Sequence, residues 1–189
     1  MAKNIVLIGF MGSGKTTVGL RLAERLKRTF VDMDHEIETL IGMSVAEIFR
    51  HYGEVRFRSE ESLMARKLGH REDLVIATGG GAVLCSANVA ALRENGVLVY
   101  LDADPVDIQA RVNRKKGSRP LLRKNVSVAD VEELLKVRQP FYACADLKVT
   151  TGGKSMNETL DAIINNLKIM GHLPDGSAEA GPASGGRTE

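Results

Sequence analysis

Five short apolar runs alternate along the chain with longer stretches in which apolar residues recur every three or four positions. The runs are continuous rather than alternating, which is typical of strands that are buried on both faces of a parallel sheet. The longer stretches predict amphipathic helices, as where Val18, Leu22 and Leu26 share one helical face. The pattern therefore predicts an α/β fold with helices on both faces of a five-stranded parallel sheet. The predicted strands are residues 5–8, 30–33, 74–77, 97–101 and 147–149.

A glycine-rich segment, residues 9–17, follows the first predicted strand and precedes the first predicted helix. Its sequence, Gly-Phe-Met-Gly-Ser-Gly-Lys-Thr-Thr, has the G-x-x-x-x-G-K-[ST] spacing of a phosphate-binding loop. There, backbone N–H groups and the positive end of the helix dipole converge on the place where polyphosphate binds. Lys15 is then placed to reach the β- and γ-phosphates, and Thr16 to hold Mg²⁺. A turn that binds nothing is the alternative, which the full motif in this context disfavours.

The bulk composition narrows the class of protein without identifying a ligand. With 189 residues, 43% of them apolar and 26% charged, the chain suits one globular domain. Its net charge of +2 does not indicate a nucleic-acid or membrane partner. Cys85 and Cys144 lack metal-ligand spacing and no apolar leader precedes the first strand, so we expect free thiols and a cytoplasmic location. Residues 171–189, rich in Gly, Ala, Ser and Pro, predict a flexible tail behind a domain of residues 1–170.

Two aspartates end the second predicted strand. Because side chains alternate along a strand, Asp32 and Asp34 are expected to point in the same direction at the mouth of the site. One is expected to serve Mg²⁺ and the other a substrate hydroxyl. The alternative is that Asp34 only caps the helix that begins at His35.

Two further segments carry candidate binding groups. Arg58 lies in the charge-dense segment 54–61, where Glu61 is its neighbour at helical spacing, but a solvated helix face has the same composition.

Residues 79–81 are three glycines after the third predicted strand, where bare backbone either approaches a ligand closely or forms a tight turn. This strand lacks the acidic residue that holds metal in many phosphate-loop enzymes, so Asp32 is expected to take that role.

A basic segment runs from Arg111 to Arg123 and is interrupted by Gly117 and Pro120. Such a segment is typical of a mobile lid that closes over phosphates, and we place it at about residues 112–124. A basic loop that binds nothing is the alternative.

Arg138 stands two residues before Pro140. A helix is kinked or ended at such a proline. A guanidinium group in this position can pair bidentately with a substrate carboxylate.

Together these motifs resemble the shikimate kinase family and occur in that family's order within residues 3–169. They are the loop at 9–17, Asp32-x-Asp34, Phe57-Arg58-x-x-Glu61, Gly79-Gly80-Gly81, Arg119-Pro120-Leu121-Leu122 and Arg138-x-Pro140. The resemblance implies a three-layer αβα P-loop kinase fold of the nucleoside-monophosphate-kinase type with a mobile lid. It also implies transfer of the γ-phosphoryl group of ATP to the 3-hydroxyl of shikimate.

The resemblance further implies roles for individual residues, by matching position. Lys15, Asp34 and Arg119 would be catalytic, and Asp34 would bind shikimate hydroxyls and orient or deprotonate the attacking one. Thr16 would ligate Mg²⁺, with Asp32 holding the water shell of the metal. ATP is expected on Gly12, Ser13, Gly14, Lys15, Thr16, Thr17, Arg111 and Arg119. Shikimate is expected on Asp34, Arg58, Gly79, Gly80, Gly81 and Arg138.

Within these sets, Arg58 and Arg138 would clamp the shikimate carboxylate. Arg111 would stack against adenine, and Arg119 would be the lid arginine that faces the phosphates. Two other functions use the same loop: a kinase for gluconate or a nucleotide, which needs no such arginine pair, and a nucleotide-binding switch without catalysis. We also expect a monomer, because the loops of one chain could enclose both substrates.

Overall fold

The computed structural model describes residues 3–114 and 126–174 of the chain. In that part, five parallel strands form one sheet in the order β2-β3-β1-β4-β5, which confirms the predicted α/β class. The strands are β1 Asn4–Ile8, β2 Thr29–Asp32, β3 Leu74–Ala77, β4 Gly96–Asp102 and β5 Leu147–Thr150. β1 is central because it pairs with β3 on one side and β4 on the other.

Helices cover both faces of the sheet and complete three layers. Within the described residues they are α1 Lys15–Leu26, α2 Met33–Ile41, α3 Val45–Gly69, α4 Ser86–Glu94, α5 Pro105–Arg114, α6 Val128–Tyr142 and α7 Met156–Ile169, with a short 3₁₀ turn at Ala82–Leu84. None of these helices is long and apolar enough to cross a membrane.

The alternation of side chains along β1 separates two cores. Val6 and Ile8 pack on one face, under α3, α4, α5 and α6. Ile5 and Leu7 pack on the other face, under α1 and α7. Because both faces of β1 are covered, all five of its residues are buried, which accounts for the continuous apolar run in the sequence.

The second strand ends one residue earlier than predicted. β2 stops at Asp32, whose carboxylate Oδ1 accepts the backbone N–H groups of Asp34 and His35 and so caps α2. Asp34 therefore lies in the first turn of a helix, and the strand alternation used to align the two aspartates is wrong. The alternative, that Asp34 caps the helix, is wrong as well, because Asp32 is the residue that caps α2.

Other boundaries also differ from the sequence predictions. α6 continues past Pro140 to Tyr142, and the Ala143 N–H donates to the Pro140 carbonyl at its end. Residues 112–114 of the predicted lid are the last turn of α5, and the rest of that lid lies outside the described residues. Leu173, within the predicted tail, is buried in the core under α1 and α7, whereas 175–189 lie outside the description.

Two glycines determine the path and the packing of α3. Its backbone leaves helical geometry at Gly53, where φ is 79°, so the helix bends there. Its last residue, Gly69, packs against α4 so closely that a Cβ would lie 2.1 Å from the Ala91 carbonyl oxygen. The absence of a side chain at Gly69 therefore sets the distance between α3 and α4.

We expect Gly69→Ala to lower the free energy of unfolding by about 2 kcal/mol, because the methyl group must push two helices apart. Gly152→Ala is the matched control, since its Cβ would make only an ordinary contact of 3.5 Å with Asp104. Denaturant unfolding of both variants gives the difference. Equal stability of the two variants would show that the α3–α4 contact relaxes without cost.

Candidate active site

The segment after β1 folds as a loop whose backbone requires glycine at three positions. Gly9, Gly12 and Gly14 have φ values of 146°, 82° and 97°, which side-chain-bearing residues rarely adopt. Gly14 is the N-cap of α1, so the helix begins at Lys15 with its first N–H groups at the loop. Such a helix end attracts an anion. The backbone therefore has the form that the phosphate-loop motif predicts.

Two side chains of the loop face different ways. Lys15 Nζ donates to the carbonyl oxygens of Gly9 and Phe10 at 2.8 and 3.0 Å, which holds the ammonium group along the loop. Ser13 is buried, its backbone N–H donates to the Phe10 carbonyl, and its side chain does not line the cavity described next. Among the predicted ATP-binding residues that the structure describes, Ser13 is therefore the one that does not line this cavity.

A cavity of about 570 Å³ lies beside this loop. It brings together most of the residues that the sequence predicts for the site: Gly12, Gly14, Lys15, Thr16, Thr17, Asp32, Asp34, Arg58, Gly79, Gly80, Gly81, Arg111 and Arg138. Arg119 lies outside the described residues. The predicted phosphate and substrate groups thus share one cavity.

Thr16 and Asp32 form an oxygen pair at the end of the loop. The Thr16 hydroxyl donates to Asp32 Oδ2 at 2.8 Å, while Oδ1 of the same carboxylate caps α2. No cluster of three or more metal-ligating His, Cys, Asp or Glu side chains occurs in the described part of the chain. The pair suits Mg²⁺ all the same, because this ion prefers oxygen ligands and keeps several waters and substrate phosphates around it.

The surroundings of Asp34 are unfavourable for the charged form of its carboxyl group. Burial raises its pKa from 3.8 to about 6, and the nearby carboxylates of Asp32 and Glu61 add to the rise, while Lys15 opposes it. Its Oδ1 atom is buried and has no hydrogen-bond partner among the described residues. Such an atom is available to a hydroxyl donor, and a carboxylate with this pKa binds a proton more readily than an ordinary aspartate does.

Arg58 is held by two glutamates of its own helix. Its guanidinium group lies 2.8 Å from Glu61 Oε2 and 3.1 Å from Glu54 Oε1. Burial alone would lower the pKa of Arg58, but the two carboxylates outweigh it and raise the pKa. Glu61 itself is fully buried, which raises its pKa against the opposing charges of Arg58 and Arg138. The interpretation of residues 54–61 as only a solvated face is therefore wrong at Arg58 and Glu61.

Arg138 reaches the cavity from α6. Its Nη1 donates to the Gly80 carbonyl at 2.9 Å, and its guanidinium carbon lies 5.5 Å from the centre of the Phe10 ring. These contacts connect α6 to both the phosphate loop and the glycine turn. The guanidinium group is thus fixed on two sides, as a clamp for an anion requires.

The three glycines after β3 serve the close packing of charged groups. A Cβ at Gly79 would lie 2.6 Å from Glu61 Oε1 and 2.7 Å from Asp34 Oδ1, and one at Gly81 would lie 2.6 Å from Arg58 Nη2. At Gly80 the nearest atom would be the Met11 nitrogen at 3.2 Å. The turn lets α2 and α3 bring their charged side chains against the end of β3.

Arg111 contacts the phosphate loop directly. Its Nη1 donates to the Gly12 carbonyl at 3.2 Å and its Nη2 to Asp107 at 3.3 Å. The stacking of Arg111 on adenine stays a prediction.

Sequence reasoning did not select several residues that line the cavity: Met11, His35, Glu38, Val45, Phe49, Phe57, Glu61, Thr78 and Arg114. The most notable are Glu61 and the aromatic pair Phe49 and Phe57, whose ring centres are 4.9 Å apart. Val45 and Phe49 are four residues apart, a spacing typical of one helix face, but such spacing does not show that the face borders a cavity.

The fold and the cavity define a class of protein. A parallel αβα sheet, a phosphate-binding loop and a second set of fixed charges across one cavity are typical of P-loop kinases that phosphorylate small molecules. The family model described as shikimate kinase matches residues 11–168. The chain therefore belongs to the shikimate kinase family, whose members are ATP-dependent kinases.

Individual relatives agree with this assignment. The chain is 54% identical to the shikimate kinase of Pelotomaculum thermopropionicum over 90% of its own length and 99% of the relative's. It is also 54% identical to the shikimate kinase of Desulforudis audaxviator, over 93% and 92%. Among solved structures, the Acinetobacter baumannii shikimate kinase in complex with shikimate is 38% identical, with a TM-score of 0.83 over 93% of this chain and 97% of that one.

The raised pKa of Asp34 predicts a pH-dependent stability. Because the folded state binds this proton more tightly than the unfolded state, the contribution of Asp34 to stability is most favourable below about pH 4 and is lost as the pH rises through about 6. Asp34→Asn should therefore stabilise the ligand-free protein at pH 7.5, by at most about 3 kcal/mol, and lose this advantage near pH 4.

Denaturant unfolding at both pH values tests this, with Asp161→Asn as the control. Asp161 is half-exposed on α7, so its variant should differ from wild type by no more than about 0.5 kcal/mol at either pH. An Asp34→Asn variant that is equally destabilised at pH 7.5 and pH 4 would contradict the electrostatic account.

Proposed function

We propose that this protein transfers the γ-phosphoryl group of ATP to the 3-hydroxyl of shikimate, giving shikimate 3-phosphate and ADP. The observation that carries the proposal is the shared cavity, in which the phosphate loop lies next to Asp34, Arg58 and Arg138. In the Acinetobacter baumannii relative the bound molecule is shikimate, a carboxylate with several hydroxyl groups. The acceptor half of the cavity has the groups that such a molecule requires.

The nucleotide half binds the polyphosphate of ATP. The first backbone N–H groups of α1, which begins at Lys15, are proposed to bind the β- and γ-phosphates, and the Lys15 ammonium group to neutralise the charge that develops during transfer. Arg111 lies against this loop, where it is proposed to stack on the adenine ring of the nucleotide. Arg119 completes the set as the catalytic lid arginine.

Thr16 and Asp32 hold Mg²⁺ in this proposal. Bound there, Mg²⁺ would supply positive charge that stabilises the charge developing on the transferred phosphoryl group. The Thr16 hydroxyl would ligate the ion, and Asp32, which accepts the hydrogen bond of that hydroxyl, would hold its water shell. The residue after β3 is Thr78, whose hydroxyl donates to the Leu7 carbonyl, so Asp32 takes the role of the acidic residue at the metal.

The acceptor half binds a monoanion. Arg58 is paired with Glu54 and Glu61, whereas the guanidinium of Arg138 donates to the Gly80 carbonyl and brings a second positive charge to a substrate carboxylate. The glycine turn at 79–81 lines the cavity, and the Gly80 backbone is proposed to contact the acceptor. Phe49 and Phe57 provide an apolar wall for the carbon ring.

Asp34 binds the hydroxyl groups of the acceptor and orients the one that attacks. With a pKa of about 6 it is mostly ionised at neutral pH and accepts a hydrogen bond. A loose phosphoryl-transfer transition state needs little proton removal, so orientation is the larger contribution. Location in the cytoplasm and a monomeric state belong to this proposal as well.

Acceptor specificity tests the function as a whole. We expect coupled ADP release with shikimate and at least about 100-fold less with gluconate or nucleoside monophosphates, because gluconate has its carboxylate on a flexible open chain and nucleoside monophosphates have no carboxylate. Higher turnover with another acceptor would reassign the substrate. ATP binding without turnover on any acceptor would favour the nucleotide-binding switch.

Arg58→Ala should weaken shikimate binding by about 2 to 5 kcal/mol and leave ATP binding nearly unchanged, because it removes a half-buried charge from the acceptor side. Arg56→Ala is the matched control: Arg56 lies two residues away on α3, is exposed and pairs with Glu60. Arg58→Lys keeps the charge that balances Glu61 and should lie between Arg58→Ala and wild type. Calorimetric titration with each ligand measures the effects, and an equal loss for both ligands would count against the clamp.

A further inference from the structure

The hydroxyl group of Tyr142 is one of the few buried side-chain polar groups without a hydrogen-bond partner in the described part of the chain. Tyr142 is the last residue of α6 and is 2% exposed. Its oxygen is fully buried and has no partner that meets hydrogen-bond geometry in the described structure. A buried polar atom in this state is unfavourable unless another state of the protein satisfies it.

The position of Tyr142 on α6 points to its partner. Tyr142 follows Arg138 by four residues, and residues with this spacing are neighbours on a helix surface. Burial raises the pKa of Tyr142 to about 12, and the charge and N–H groups of the Arg138 guanidinium oppose that rise. The phenol is therefore neutral near pH 7, with its oxygen available as an acceptor next to the guanidinium group.

The Tyr142 ring is held rigidly. It stacks on Tyr100 with ring centres 4.6 Å apart and planes 9° from parallel. Tyr100 comes from β4, and its own hydroxyl donates to Asp102 at 3.1 Å. Because the strand fixes Tyr100, the phenol of Tyr142 has a defined position relative to the sheet.

We propose that Tyr142 is a positioning residue for Arg138: its phenol oxygen accepts one guanidinium N–H when Arg138 binds the acceptor. The Gly80 carbonyl already accepts from Nη1 at 2.9 Å, so two acceptors on different elements then fix the plane of the guanidinium group. The remaining N–H groups face the cavity as a fork that matches a carboxylate. This inference rests on the proposed role of Arg138 in binding shikimate.

Tyr142→Phe tests the proposal, and Tyr100→Phe is the matched control. Each variant removes one hydroxyl from the same stacked pair, but only the first removes an acceptor near Arg138. We expect Tyr142→Phe to raise KM for shikimate about 10-fold while KM for ATP stays within about twofold, because only the charge-assisted bond on the acceptor side is lost. Tyr100→Phe should leave both values within about twofold. Loss of the shikimate effect, or an equal rise for ATP, would overturn the proposal.

A double-mutant cycle separates positioning from packing. In an Arg138→Lys background, which lacks the planar fork, Tyr142→Phe should change KM for shikimate by no more than about twofold. A full 10-fold effect in that background would mean that Tyr142 acts without Arg138 and would overturn the proposal. Arg138→Lys alone with an unchanged KM for shikimate would instead refute the proposed clamp.

Fluorine NMR gives a test that does not depend on the folding of a variant at position 142. The chain has three tyrosines, Tyr52, Tyr100 and Tyr142, so 3-fluorotyrosine labelling gives three signals, which Tyr52→Phe and Tyr100→Phe assign. Shikimate should shift the Tyr142 signal in the wild-type protein and not in Arg138→Lys at saturating shikimate. An unshifted Tyr142 signal in the saturated wild-type protein would overturn the proposal.

Discussion

Charged side chains from α2 and α3 lie directly against the backbone of residues 79–81, and the rest of the site depends on this close approach. A side chain at Gly79 would occupy the space of Glu61 and Asp34, and one at Gly81 would occupy that of Arg58. The turn follows β3, which pairs with β1 and so lies next to the phosphate loop. Bare backbone at this point therefore lets the acceptor groups reach the edge of the sheet where the phosphates bind.

The same packing puts the carboxylates of Asp34 and Glu61 close together, and the two differ in their charged neighbours. Glu61 is buried but lies next to the guanidinium of Arg58, so its charge is compensated by an ion pair. Asp34 has no such arginine, and its pKa rises to about 6 because of burial and the charges of Asp32 and Glu61. Burial raises the pKa of Glu61 as well, but its ion pair with Arg58 opposes the rise and holds the side chain, whereas Asp34 without such a pair is ready to accept a hydrogen bond or a proton.

The sequence predicts the sheet well and the site in part, for physical reasons. Buried parallel strands have continuous apolar runs, and the phosphate loop is a local motif, so both are visible without tertiary contacts. The end of β2 was misplaced because a capping interaction of Asp32, rather than strand periodicity, decides where α2 starts. The sequence identifies Glu61 as the helical neighbour of Arg58 but not its complete burial, because that burial depends on Gly79, which is 18 positions away along the chain.

The two halves of the cavity differ in how they are encoded, and this difference determines which half carries specificity. The nucleotide half comes from one contiguous loop and the helix that follows it, so many P-loop proteins can share it. The acceptor half needs α2, α3, the turn after β3 and α6, as in the contact between Arg138 and Gly80, which are 58 residues apart. A change in any of these elements alters the acceptor half while the phosphate loop stays intact. Selection among acceptors therefore depends on long-range packing, and the loop by itself carries little of that information.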